Sequence, residues 1–309
     1  MAWQKRGLIF VPSGEKEWMS SHAQVPTVLV GEDRLSVFFA TRDSSGRAQI
    51  GLIELDRADP SRILYLHSHP VLGFGRPGTF DDDGVMPSHA LWIGREIWLY
   101  YSGWNQRVRV PYHNAMGLAV SRDGGRTFSR MFDGPILDRT ALEPYLAVTP
   151  SVMREGPCWH MWYVSGTGWI DIAGKYEPVY VIKYCHSADG VNWVRPNTTC
   201  IAPTHELEAF SRPHVIKQGS LYRMWFCHRG SENYRVGANS YRIGYAESTD
   251  ATHWTRMDDR AGITVSDAGW DSAMVCYPYP FVTDTRLSMV YNGNGFGRSG
   301  FGHAVWDNQ

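Results

Sequence analysis

Apolar residues along this chain come in short alternating or continuous runs rich in Val, Ile, Tyr, Phe and Trp. Clusters of Gly, Asp, Asn and Ser divide them. Such runs read as β-strands bounded by turns, whereas a helix would space its apolar positions by three and four. The runs also repeat. The segments VPTVLV, MPSHAL, TPSVMR, RPHVIK and YPYPFV carry Pro26, Pro87, Pro150, Pro213 and Pro278, which lie 61, 63, 63 and 65 residues apart. A second run follows each one (SVFFATR, IWLYYSG, HMWYVSG, YRMWFCH, LSMVYNG), and then a third (QIGLIELD, AMGLAVSRD, VIKYCHSAD, RIGYAESTD, FGHAVWD). A fixed period of this length marks a repeat architecture.

A fourth apolar stretch closes most units: ILYLHSHPVL, FSRMFDGPIL, WVRPNTTCIA and WTRMDDRAGI. The turns before it are SRDGGRTF, SADGVNW and STDATHW, and Asp-Gly between strands favours a hairpin. Asp123, Asp189 and Asp250 in these turns read as structural. The aromatic after each turn (Phe128, Trp193, Trp254) is expected to pack between neighbouring units. Four antiparallel strands per unit, repeated radially, predict an all-β fold: a five-bladed β-propeller filling residues 1–309 as one domain. The fifth unit stops after its third strand, near Trp306. The run at residues 8–12 is expected to supply the missing strand, closing the last blade and protecting both edges.

Bulk properties narrow the setting. The chain has 309 residues, 43% of them hydrophobic, enough for a large core. Its net charge is −1 and it has no run of Lys or Arg, which speaks against a nucleic-acid partner. No segment is apolar for long enough to span a membrane, and the N-terminal apolar stretch is too brief for a signal peptide. The five cysteines form no CxxC pair, which suits reduced, buried thiols in a cytoplasm. No metal-ligand spacing appears among the histidines and cysteines, so no metal and no cofactor is expected. The segment NGNGFGRSGFG lies between two strands, not strand and helix, which argues against a nucleotide loop.

In a propeller blade, the loop entering the innermost strand and the loop joining strands two and three open on one rim. Here the first set spans 73–86, 139–149, 204–212 and 266–277, and the second spans 104–114, 166–179, 229–240 and 292–300. Long loops gathered on a rigid scaffold are where function concentrates. Acids precede the repeat proline: Asp81, Asp82 and Asp83, then Glu143, Glu206 and Glu208, then Asp271. Of these, Glu208, Asp271, Asp83 and Glu143 are the catalytic candidates. Asp81, Asp82 and Glu206 read more readily as solvated. Ten residues are substrate-binding candidates: His22, Trp104, Asn105, Trp169, Arg212, His214, Arg229, Tyr277, Asn292 and Asn294. Carboxylates among aromatic rings and amides suit a carbohydrate site, with rings stacking on sugar faces and two acids cleaving the bond. The bland readings stand beside these: a loop Trp can simply cover the core, and Arg212 and His214 can hydrogen-bond within it.

The turns SRDGGRTF, SADGVNW and STDATHW, strands such as MWYVSG, and the inner-strand prolines together resemble the five-bladed propeller glycosidases. That broad group includes glycoside hydrolase families 43, 62, 32, 68 and 130. The likeness spans all five units and is strongest to glycosidase-like proteins found beside these families, through TFDDDGVMPS, YYSGWN, SRPHVIK, GYAES and YNGNGFGRSGFG. It implies a carbohydrate substrate. It also implies, for families 43 and 32, a functional aspartate directly before an inner-strand proline. The matching positions here are Val25, Met86, Thr149, Arg212 and Tyr277, and none is an acid. The acids would then come from the rim, with Glu208 protonating the leaving oxygen and Asp271 or Asp83 activating water, in the inverting manner of most such families. Some relatives carry a Ca²⁺ in the central channel.

Two rival readings stay open. Likeness to family 130 suggests a phosphorylase or transferase, with phosphate held by Arg212, His214, His228 and Arg229. A propeller can also bind sugars or proteins without catalysis.

Overall fold

The computed structural model describes residues 2–307 except Val236 and Thr285, and its regular structure is almost wholly β. Four strands, β2 (Ser21–Val30), β3 (Arg34–Arg42), β4 (Ala48–Asp56) and β5 (Ile63–Leu66), pair in chain order. So do β6 (Gly84–Ile93), β7 (Glu96–Gln106), β8 (Tyr112–Ser121) and β9 (Ser129–Arg130). One parallel contact, Ala48 with Gly84, joins these two sets into a single sheet. A separate sheet holds β10 (Ala147–Glu155), β11 (Cys158–Ile172), β12 (Lys175–Ser187) and β13 (Val194–Ile201). Another holds β14 (Ala209–Gln218), β15 (Leu221–Arg229), β16 (Arg242–Ser248) and β17 (Thr255–Arg256). In the last, β18 (Cys276–Thr283), β19 (Arg286–Asn292) and β20 (Phe301–Asp307) take their fourth strand from the N-terminus, β1 (Ala2–Phe10). The N-terminus thus completes the final sheet as expected, but with the strand Ala2–Phe10 and not the run at residues 8–12.

Packing between units uses the aromatic after each turn. Phe128 meets Phe38 edge-on, with ring centroids 5.3 Å apart. In the same way Trp193 meets Tyr100, Trp254 meets Trp162, and Trp3 meets Trp225. Each ring comes from, or from just before, an outer strand and lands on the second strand of the preceding unit. Buried apolar clusters straddle successive units, and one joins Tyr279, Phe281 and Val290 of the last unit to Val28, Val37 and Phe39 of the first. Within a unit, Tyr101 lies across Gly117, where a Cβ would come 2.2 Å from the ring, so only glycine fits. The turn aspartates are structural. Asp123 accepts from Arg126 N and Thr127 N, and Asp189 and Asp250 accept from their own turns. Burial opposes the Asp123 charge, but bonds from Thr127 and Ser121 outweigh it and hold the carboxyl at about 2. All five cysteines are free thiols, and four are buried.

The inner strands share one irregularity. Their pairing register shifts at or beside the repeat proline, between Gln24 and Thr27, Pro87 and His89, Val148 and Ser151, Ser211 and His214, and Cys276 and Tyr279. Proline cannot donate to the ladder, so a bulge belongs there. Directly before it, Val25, Thr149, Arg212 and Tyr277 have φ of 47°, 51°, 47° and 54°. Non-glycine residues in this left-handed region cost about 1–3 kcal/mol each. The strained positions come together where the inner strands converge.

Candidate functional site

Three of these four strained residues, Val25, Thr149 and Tyr277, line a cavity of about 240 Å³ together with Met86, the residue before Pro87. Trp104 and Arg42 come from the ends of second strands, Tyr112 and Asn114 from the start of β8, and Tyr180, Tyr241, Gln24, Val148 and Ser211 complete the wall. Two polar groups in this wall are buried without a partner, Thr149 Oγ1 and Trp104 Nε1. A buried hydroxyl without a hydrogen bond is costly, so such groups mark a place where a ligand or water belongs. Burial pushes the Tyr112, Tyr241 and Tyr277 hydroxyls up, so they remain protonated donors at neutral pH.

Among the described residues the cavity wall contains no carboxylate. Its charge is Arg42, which donates Nε to Gln24 Oε1 at 2.9 Å and Nη1 to the Gly46 carbonyl at 2.9 Å. Its guanidinium stands 5.3 Å from the Trp104 ring. Nη2 has no hydrogen-bond partner among the described residues. The adjacent Asp43 is occupied by Arg47. Burial lowers the Arg42 pKa, and the same burial with repulsion from Arg42 and Arg298 brings His22 down to about 4, so its imidazole is neutral.

Deeper on the axis, Arg212 is fully buried and spans the centre. It donates to the carbonyls of Pro87 (2.9 Å) and Pro26 (3.2 Å) and to Thr27 Oγ1 (2.8 Å), which lie on two other inner strands. Burial lowers its pKa to about 10. His214 packs beside it, 3.9 Å from the Tyr279 ring and 5.4 Å from His89. Burial, then His89 and Arg212, holds His214 well below its ordinary range. Arg212 and His214 are therefore buried between the inner strands and take no part in the cavity wall. A buried guanidinium with no carboxylate beside it is a poor fit for a channel Ca²⁺. Among the described residues no group of three or more His, Cys, Asp or Glu is placed to hold a metal ion.

The rim acids lie outside the cavity wall, each held within its own unit. Asp81 accepts from Arg130 Nε (2.7 Å), Tyr101 (2.9 Å) and Thr79 (2.9 Å). Glu143 accepts from Arg195 Nε (3.0 Å), Ser165 (2.6 Å) and Tyr163 (2.9 Å). Glu208 accepts from Arg256 (2.7 Å) and Thr204 N (2.6 Å), and Asp271 from Lys5 (2.7 Å) and Tyr291 (3.0 Å). All four are at most 5% exposed. Burial opposes the charge of Glu143 and Glu208, but the bonds from Arg195 and Arg256 prevail and hold both carboxyls below the usual range. The first unit has the same arrangement in apolar form: Met19, Phe39 and Leu66 belong to one hydrophobic cluster. Asp83 accepts from Gln106 N at 2.8 Å and lies outside the cavity wall.

Of the substrate-binding candidates, Trp104 and Tyr277 line the cavity, and His22 stands near Arg42. The others have different surroundings. Asn292 is fully buried and clamps Val25 N, the Ala23 carbonyl and the Gly300 carbonyl. Asn294 Oδ1 accepts from Ala273 N and Met274 N in the loop that enters β18. Asn105 donates to the Thr79 carbonyl at 3.3 Å. Arg229 is buried among Tyr180, Tyr234 and Tyr241 and stands behind the cavity wall. Trp169 belongs to a second cavity, which shares Tyr112 with the first. Sequence reasoning does not name Tyr112, Asn114 or Tyr180 as site residues, and Arg42 enters it only as half of an Arg42-Asp43 pair that resembles one in families 32 and 68. The cavity positions at Val25, Met86 and Thr149 are legible as the residues before the repeat prolines, but none is an acid, and nothing else in the sequence marks them.

No protein-family model matches the chain. It is 38% identical, over 100% of both chains, to "Uncharacterized protein Rv1502" and "Uncharacterized protein MT1551" of Mycobacterium tuberculosis. A solved structure named "Glycoside hydrolase" is similar with a TM-score of 0.75 and 18% identity, covering 97% of this chain and 90% of its own. For a thermostable family-43 glycoside hydrolase the TM-score is 0.66 at 16% identity, with 92% and 88% covered. For the Bombyx mori family-32 β-fructofuranosidase it is 0.60 at 13% identity, with 93% of this chain and 61% of that one covered. The fold is that of the family 43 and family 32 glycoside hydrolase propellers.

Proposed function

The chain belongs to the family of the mycobacterial protein Rv1502, and we propose that it is a glycosidase-like, carbohydrate-active enzyme built as one ring of five blades. The sugar occupies the central cavity, where Trp104 and the tyrosines offer ring faces and Thr149, Asn114 and Gln24 offer hydrogen bonds. The fold shared with glycoside hydrolases supports this reading, as do the two orphaned polar groups in the wall.

The reaction we favour is glycosyl transfer with a phosphate-type leaving group, not hydrolysis by two carboxylates. One observation carries this: the cavity wall has an arginine with an unoccupied nitrogen and no carboxylate. A sugar alkoxide leaves only with help from a general acid, and Glu208, Asp271 and Glu143 are each engaged by a cation away from the cavity. A phosphate leaves as a stable anion, and Arg42 would hold its developing charge through Nη1 and Nη2. In that step the C–O bond to phosphate breaks, the acceptor hydroxyl bonds to the anomeric carbon, and its proton passes to the departing phosphate. A cytoplasmic setting fits such chemistry.

The test is product analysis on aryl glycosides, short oligosaccharides and glycosyl phosphates, with and without added phosphate. Phosphate-dependent turnover that is lost in Arg42→Gln supports the reading. Free sugar released without phosphate, and lost in Glu208→Gln or Asp271→Asn, would restore the two-carboxylate hydrolase. The bare cavity also favours a second reading, a sugar-binding propeller without catalysis, which would give saturable binding and no product.

A further inference from the structure

The second cavity, about 390 Å³, opens beside the first and has Tyr112 in common with it. Its wall combines three arginines, Arg107, Arg109 and Arg139, with Tyr145 and Trp169. Trp169 meets Tyr112 edge-on at 5.4 Å, so an aromatic wall runs from one cavity into the other. Arg107 and Arg109 are exposed and have no carboxylate partner among the described residues. Asp138, beside Arg139, is already bonded to His113 Nε2 (2.8 Å) and to Arg139 N (2.7 Å), and stands 3.9 Å from the Arg139 guanidinium. The whole chain carries a net charge of −1, so this concentration of positive charge is local.

We propose that the second cavity extends the sugar site and selects an acidic glycan. The ligand would seat one sugar in the central cavity, run past Tyr112 and Trp169, and place its anionic substituents against Arg107 and Arg109. Planar guanidinium groups pair with carboxylate and phosphate alike, so the chemistry recognised is a negatively charged substituent on a sugar chain. Rings beside cations suit a ligand that is apolar on its sugar faces and charged at its edge. The inference rests on the central cavity being the sugar site.

The experiment measures binding by calorimetry, at low and high salt, for trigalacturonate, neutral galactotriose and a monosaccharide phosphate. Wild type is compared with Arg107→Gln/Arg109→Gln and with Arg42→Gln. Trigalacturonate should bind about tenfold tighter than the neutral trisaccharide at low salt, and salt should erode the difference. The double variant should lose that advantage while keeping the neutral affinity. Equal affinity for the acidic and neutral trisaccharides, or a preference that survives in the double variant, overturns the proposal and leaves the sugar site standing. The same holds if the sugar phosphate alone binds tightly, through Arg42 only. If no saccharide binds, the central site falls and the extension with it.

Discussion

Replacing Arg130 by Ala tests most directly whether the rim acids are structural. Asp81 is fully buried and has Arg130 as its cation, whose side chain is 19% exposed. Removing one partner of a buried pair costs about 3–5 kcal/mol, because a charge is left uncompensated. Tyr101 and Thr79 would still donate to Asp81, which moves the expectation to about 3 kcal/mol. With an unfolding entropy of about 2.1 cal/mol/K per residue over 309 residues, that is a fall in Tm of roughly 4–5 °C. The first unit supplies the control, since Met19, Phe39 and Leu66 stand where Asp81, Tyr101 and Arg130 stand in the second. Copying them with Asp81→Met, Tyr101→Phe and Arg130→Leu replaces the ionic set by an apolar one of similar size, which is often neutral. The triple variant also loses the bond from Arg130 to the Gly73 carbonyl, a cost of about 1 kcal/mol. Calorimetry should place it within about 1–2 kcal/mol of wild type, above the single variant, with saccharide binding intact. A triple variant no more stable than Arg130→Ala would refute the reasoning. So would one that folds normally but has lost saccharide binding that the wild type shows.

Three further outcomes are expected. Thr149→Val removes the orphaned hydroxyl and should raise stability by up to about 1 kcal/mol while weakening saccharide binding about fivefold; unchanged binding would place the ligand elsewhere. In the hairpin at Ile172 and Lys175, Ala173 and Gly174 both have positive φ, and Ala173→Asn should stabilise by about 0.5–1 kcal/mol in thermal denaturation. Acidification should destabilise the fold. Burial brings His22, His89 and His303 to about 4, 3 and 4, against 6.5 when exposed. The unfolded chain therefore binds more protons between pH 6.5 and about 4, and stability falls as pH drops through that window. His89→Gln should flatten the fall in Tm, and a Tm independent of pH across it would count against buried neutral histidines.

The strands were legible because each apolar run meets its turn signals in register, and the aromatics after the turns did pack between units. The rim acids were harder to read. A carboxylate a few residues before an inner-strand proline looks the same whether its partner is a sugar or an arginine about fifty residues later. A signal was nonetheless present. Arg130, Arg195, Arg256 and Lys5 each follow the packing aromatic by two positions, in the same four units that carry Asp81, Glu143, Glu208 and Asp271. The first unit lacks both members, with Met19 and Leu66 in their place. Joint presence and joint absence across repeats is the mark of a pair. The cavity was hidden for another reason. Its chemistry sits on residues ordinary in sequence, such as Tyr112 and Tyr180, which become a site only when the inner strands converge.

In a chain built from one repeated unit, positions that recur in register carry the scaffold, and positions that differ carry what is particular to the protein. The turn aspartates, the packing aromatics and the acid–cation pairs recur. Two sets do not. Before the prolines stand Val25, Met86, Thr149, Arg212 and Tyr277. In or just beyond the second strands, three residues after the central aromatic of each (Phe39, Tyr101, Tyr163, Phe226 and Tyr291), stand Arg42, Trp104, Gly166, Arg229 and Asn294. Six of these ten line the central cavity: Val25, Met86, Thr149 and Tyr277 from the first set, Arg42 and Trp104 from the second. A substitution scan should therefore separate along this line. Changes at recurring positions should lower Tm and leave the affinity of the surviving folded protein unchanged, whereas Arg42→Gln and Trp104→Ala should weaken saccharide binding more than they lower Tm. Loss of binding that tracked the recurring acids at constant Tm would return the chemistry to the rim.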